Sequence, residues 1–164
     1  MIARAARFII GGGVIVYPTE TVYGLGANAL DEQAIMRVYQ IKKRPLSQPI
    51  FLAVSNFEML EKVAEIGKED MAILEQIFPG PVSVLVRKKS IVPDILTAGS
   101  PLVGIRYPDH EAALRIIDLA GPITGSINEC PYSCEWITFH SGAVNVTSFG
   151  GWRSNPNISG PPGA

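Results

Sequence analysis

The chain has 164 residues, 47% of them hydrophobic, with 14 basic and 15 acidic side chains and a formal net charge of −1. A chain of this size and polarity can bury roughly two-thirds of the surface its unfolded form exposes, which excludes a wholly disordered protein. The near-zero charge argues against bulk electrostatic attachment to nucleic acid, though it leaves room for a local basic groove.

Residues 3–10 suit a short helix that Gly11-Gly12-Gly13 stops, since glycine tolerates positive φ. Residues 14–17 (Val-Ile-Val-Tyr) are apolar and largely β-branched on consecutive positions, the pattern of a strand buried on both faces. Asp31 can cap a helix running to about residue 42, and residues 50–54 read as a second buried strand. Ser55-x-x-Glu58 has the form of a capping box opening a helix through 63. Residues 69–77 continue as helix until Phe78-Pro79-Gly80-Pro81 breaks it. Strands follow over 82–86 and 102–106, and Asp109 can cap a helix through 119. Strands alternating with helices predict an α/β protein, a twisted mixed sheet with helices on its faces.

Composition shifts near residue 125. Of 29 charged residues, 26 lie in 1–124 and 3 in 125–164, and half of the last 40 residues are Gly, Pro, Ser or Asn. We therefore expect an α/β unit over 1–124, with 125–164 either a divergent part of the same domain or a loosely ordered tail. The apolar runs are too short to cross a bilayer, and Arg4 and Arg7 interrupt any signal-like start. Two cysteines make no disulfide framework, so a cytoplasmic setting is expected. Cys130, Cys134 and His140 suggest zinc only weakly, for want of a fourth ligand. Asn145-x-Thr147 and Asn157-x-Ser159 match glycosylation acceptors, with nothing else pointing to secretion.

Three segments carry candidate chemistry. Tyr17-Pro18-Thr19-Glu20-Thr21-Val22-Tyr23-Gly24-Leu25-Gly26 follows the first strand. If extended, it turns Thr19 and Thr21 to one surface, while Gly24 and Gly26 let the backbone approach a ligand; the plainer reading is a turn whose hydroxyls serve the backbone. Lys42-Lys43-Arg44-Pro45 ends a helix, where cations suit the dipole; the sharper reading is a phosphate clamp, with Arg44 as a planar fork and Lys42 as a point charge. Arg106 ends a strand, as a carboxylate receptor or as the partner of Asp109 or another acid. The glycines at 11–13 precede their strand and no G-x-x-x-x-G-K-[ST] occurs, which excludes the two common nucleotide loops.

These blocks, with Val103-Gly104-Ile105-Arg106-Tyr107-Pro108-Asp109-His110, resemble the YrdC family in order and spacing over about residues 1–124. The resemblance implies an α/β fold with a concave basic cleft. It also implies threonylcarbamoyl-AMP synthase activity: L-threonine, bicarbonate (or CO2) and ATP, accompanied by Mg2+, give the adenylate and pyrophosphate. A separate tRNA threonylcarbamoyl transferase would use the product. By the same resemblance, Lys42 and Arg44 would stabilise the leaving pyrophosphate, and Thr19, Thr21 and Arg106 would hold threonine. Tyr17, Lys42, Arg44, Ser126 and Asn128 would line the ATP site, with no metal ligand among protein side chains and no evident general base. Two departures stand out. The family's Lys-Gly-Arg is Lys42-Lys43-Arg44 here, and its Ser-x-Asn segment is matched either by Ser126 and Asn128 or by a later echo at Asn157 and Ser159. The family's usual final strands, with their Ser-Thr-Val-Val pattern, are absent by this reading, which would leave the sheet short of its last strands. The competing readings are a non-catalytic double-stranded RNA-binding domain and a carbamoyl-transfer module related to hydrogenase maturation.

Overall fold

The computed structural model describes the backbone of residues 1–127, 134–140 and 143–149, and side chains through residue 125. Five helices lie among these residues: α1 (Ile2–Ile10), α2 (Glu32–Lys42), α3 (Phe57–Val63), α4 (Lys68–Ile77) and α5 (Glu111–Ala120). The strands are β1 (Ile15–Tyr17), β2 (Gly24–Gly26), β3 (Leu52–Ala53), β4 (Ala64–Glu65), β5 (Ser83–Lys88), β6 (Leu102–Arg106), β7 (Ile123–Thr124), β8 (Ser126–Ile127), β9 (Cys134–His140) and β10 (Ala143–Phe149).

They form two sheets. The larger runs β10-β9-β5-β6-β3-β7, with β4 beside β5; the smaller runs β1-β2-β8. β3 lies parallel to β6 and antiparallel to β7, so the α/β class and the mixed pairing expected from sequence both hold. Burial follows the pleat. Leu52 enters a core with Ile35, Val38, Leu60, Leu74, Val84 and Ile105. Its neighbour Ala53 faces the other way, onto Ile9, Ala113, Ile117 and Ile123 of α1, α5 and β7. Helices thus cover both faces at β3.

Several local expectations change. β1 is not buried on both faces: among the described residues it pairs with β2 alone, and Val16 is 65% exposed. The capping box shifts by one residue. Asn56 caps α3 through Met59 N at 2.7 Å, because the Ser55 hydroxyl is turned to the carboxylate of Asp118 on α5. At α5 the capping position is His110, not Asp109, and no side chain caps it. In the Gly- and Ser-rich part of the chain, β9 pairs parallel with β5 and β10 pairs antiparallel with β9, so these residues extend the main sheet. Aromatic and β-branched residues such as Trp136-Ile137-Thr138-Phe139 carried that signal, and the surrounding turn-forming residues obscured it.

The two sheets meet at Thr124, which is fully buried. Its hydroxyl accepts from Ala27 N at 3.0 Å and donates to the Leu25 carbonyl at 2.9 Å, while its own N–H reaches the Ala27 carbonyl at 2.8 Å. Gly125 follows, and an added Cβ there would meet Phe51 Cβ at 3.2 Å. The chain therefore leaves β3 in one sheet and joins β2 in the other within three residues.

Candidate functional site

Residues 18–23 connect β1 to β2 as the loop of an antiparallel hairpin, not as an extended segment. Thr19 makes the bend. Its hydroxyl accepts from the N–H groups of Thr21 and Val22 at 3.3 and 3.2 Å and donates to the Val22 carbonyl at 2.6 Å. The bend still brings the two hydroxyls together, 3.2 Å apart. Thr19 thus serves the backbone, while Thr21 is exposed and carries the loop's contact to the main sheet.

That contact is Arg106. Its backbone is flanked by Ser83 of β5 and Ala53 of β3, and the residue is only 4% exposed. Its Nη2 donates to Thr21 Oγ1 at 2.8 Å and to Glu20 Oε1 at 2.5 Å. The acid that holds Arg106 is therefore Glu20, not the nearby exposed Asp109. Arg106 Nε and Glu20 Oε2 are buried and have no hydrogen-bond partner. A buried polar group left unsatisfied costs about 1–3 kcal/mol, so a ligand supplying an acceptor and a donor would recover that energy. His110 Nδ1, four residues beyond Arg106, is likewise buried without a partner.

Tyr17 lies beneath this loop. It is 2% exposed, and its hydroxyl donates to the Thr124 carbonyl at 3.3 Å. Burial pushes its pKa well up, the Arg106 charge works the other way, and Glu20 adds to the rise. The ring occupies the space beside Gly24 and Gly26: an added Cβ would lie 3.2 Å from Tyr17 Cε1 at Gly24 and 2.9 Å from Cδ1 at Gly26. The two glycines, read from sequence as room for a ligand, accommodate this ring.

Lys42 ends α2, and Arg44 stands on the connection between α2 and β3. Lys43 takes φ 51° at the end of α2, a left-handed conformation that favours glycine. Arg44 Nε and Nη2 donate to the carbonyls of Gln48 and Pro49 at 3.3 and 3.0 Å. The fork read as a phosphate clamp thus holds its own turn, which leads directly into β3. Tyr39 supports the same turn through the Gln48 carbonyl at 2.8 Å. The structure links Thr19 to Thr21 and Thr21 to Arg106, with Tyr17 nearby, and has Lys42 at the end of α2 and Arg44 in the turn after it. Ser126 lies opposite Leu25 in the small sheet, beside the hairpin that carries the threonines. Asn128, Asn157, Ser159 and Cys130 lie outside the described residues.

Sequence reasoning did not assign Glu20 a role. Its signal was present, since a carboxylate between two threonines faces the demand of a buried arginine for a counter-charge. The joint made by Thr124 had no comparable signal.

The family model Sua5/YciO/YrdC, described as "Telomere recombination", matches residues 7–131. The chain belongs to the Sua5/YciO/YrdC family. Among its relatives is the threonylcarbamoyl-AMP synthase of Pyrococcus abyssi, 44% identical over 71% of this chain and 34% of that protein. The chain therefore spans about a third of that relative's length. The structure of P. abyssi Sua5 complexed with L-threonine superposes with a TM-score of 0.73, at 43% identity, over 76% of this chain and 37% of that one. The solution structure of the MTH1692 protein from Methanobacterium thermoautotrophicum matches more of both chains. It covers 98% of this chain and 91% of that one, with a TM-score of 0.72 and 27% identity. The described part of this Sua5/YciO/YrdC chain contains no helix long and apolar enough to cross a membrane.

Proposed function

We propose that the chain forms threonylcarbamoyl-AMP and pyrophosphate from L-threonine, bicarbonate or CO2, and ATP. The observation that carries this reading is the largely buried Arg106–Glu20 pair joined to the exposed Thr21, with one buried donor and one buried acceptor of the pair left unpaired. An amino acid brings the complementary carboxylate and amine. The names of the P. abyssi relatives support the choice of threonine and of the adenylate product.

In this reading the threonine nitrogen, as free amine, attacks the carbon of CO2 and becomes a carbamate, losing one proton. A carbamate oxygen then attacks the α-phosphorus of ATP, the bond from that phosphorus to the α,β-bridging oxygen breaks, and the β- and γ-phosphates leave as pyrophosphate. Carbamates are short-lived, so both steps gain from a shared, water-poor site. Arg106 and Thr21 hold the amino acid. Lys42 and Arg44 supply positive charge for the departing pyrophosphate, Arg44 from a turn that its own hydrogen bonds make rigid. Tyr17 acts on the ATP site from beneath, by fixing the hairpin, and Ser126 and Asn128 complete that site. Magnesium would travel with the triphosphate, held by its oxygens and by water. Among the described residues no three His, Cys, Asp or Glu side chains gather in one place. A tRNA threonylcarbamoyl transferase would consume the adenylate.

The test is pyrophosphate release by the full chain. It should require both threonine and bicarbonate, and Arg44→Ala should lower it far more than Lys43→Ala. Release indifferent to threonine would overturn the reading. Salt-sensitive RNA binding that loses equally with either substitution, without adenylate formation, would replace it by an RNA-binding domain.

A further inference from the structure

We propose that Glu20 reads the amino end of the bound amino acid, so that the Arg106–Glu20 pair selects a zwitterion and not simply an anion. The proposal rests on the threonine site inferred above and adds a recognition residue to it.

The argument is one of counting donors and acceptors. Arg106 Nη2 is spent twice, on Glu20 Oε1 and Thr21 Oγ1. Of the buried atoms of the pair, the partnerless ones are one donor, Arg106 Nε, and one acceptor, Glu20 Oε2, and Arg106 Nη1 makes neither of the contacts to Glu20 and Thr21. Both side chains are withdrawn from water, at 5% and 16% exposure. Thr19 directs its single proton to the Val22 carbonyl, so the contact between the two hydroxyls is made by the Thr21 proton. Thr21 therefore meets a ligand with a lone pair. The group thus offers the Nε and Nη1 donors of Arg106 beside two acceptors, Glu20 Oε2 and Thr21 Oγ1, and a bare carboxylate would leave the acceptors unmatched.

Charge leads to the same conclusion. Arg106 and Glu20 sum to zero, so the pair presents a dipole and has no net attraction for an anion. A zwitterion laid antiparallel to that dipole places carboxylate on Arg106 and ammonium on Glu20. Once the nitrogen has become a carbamate it keeps one N–H, which still satisfies Oε2.

The experiment is calorimetric titration of the full chain with L-threonine and with 3-hydroxybutyrate, which is threonine without its amino group. The unsubstituted chain should bind threonine at least tenfold more tightly, equivalent to about 1.4 kcal/mol. Glu20→Gln should bring the two ligands within about threefold, with 3-hydroxybutyrate bound as well as before or better. Glu20→Asp, which keeps the carboxylate, should retain the preference for threonine. Equal binding of both ligands by the unsubstituted chain overturns the proposal without any variant. A folded Glu20→Gln that keeps the preference, or weakens both ligands alike, overturns it while leaving the threonine site in place. No threonine binding by the unsubstituted chain overturns the threonine site as well.

Discussion

Replacing Arg106 by methionine removes one half of an ion pair whose N···O separation is 2.5 Å and whose members are 5% and 16% exposed. Breaking such a buried pair from one side leaves the other charge unpaired, at a cost of about 3–5 kcal/mol. For a chain of this size each kcal/mol moves the melting temperature by roughly 2–4 °C, so Arg106→Met should lower it by about 6–20 °C. Glu20→Gln should cost a comparable amount, because the guanidinium would then be the unpaired charge. The double variant removes both charges and should recover at least half of the larger single loss. Urea unfolding followed by circular dichroism gives the four stabilities of the cycle. Single losses that add to within about 0.5 kcal/mol would refute the reasoning, as would losses below about 1 kcal/mol, the range of a solvated surface pair.

Lys43→Gly should stabilise the chain by up to about 1 kcal/mol in urea unfolding, because the left-handed conformation at φ 51° costs a side-chain-bearing residue more than it costs glycine. Gly26→Ala should destabilise by about 1–3 kcal/mol, since the new methyl would lie 2.9 Å from Tyr17 and 3.1 Å from Ile123 Cδ1 in a packed core; unchanged stability would mean that the ring moves freely. Tyr17 has its pKa raised above the ordinary 10.0 by burial, so it keeps its proton in the folded chain at pH values where the unfolded chain loses it. Its contribution is complete below pH 10 and declines as pH rises further. Tyr17→Phe should flatten that alkaline loss in thermal melts at pH 9–11.

Sequence pattern located the helices and the central strands well, because each has a strong local cause: Asp31 caps α2, glycines end α1, and short apolar stretches form the middle of β5 and most of β6. It located the site's chemical groups too, since threonine pairs and terminal cations are visible as residues. What it did not reach were partnerships across the chain. Arg106 could have met any acid, and only the hairpin brings Glu20, 86 positions away, to it. Arg44 looked equally suited to phosphate or backbone until the turn at 45–49 presented two carbonyls. Ser55 matched a capping box but was drawn off by Asp118 on α5, which left the cap to its neighbour.

Thr124 also constrains how the molecule can be made. The hairpin holding Thr19, Glu20 and Thr21 is written near the amino terminus, yet the groups that seat it come 97 to 107 positions later. On the ribosome, this hairpin waits for nearly the whole α/β unit to emerge before it can dock. The joint under the hairpin is therefore among the last parts to be completed, and a chain broken off before Thr124 would carry every threonine and arginine of the site without the bonds that seat Tyr17 and Ala27.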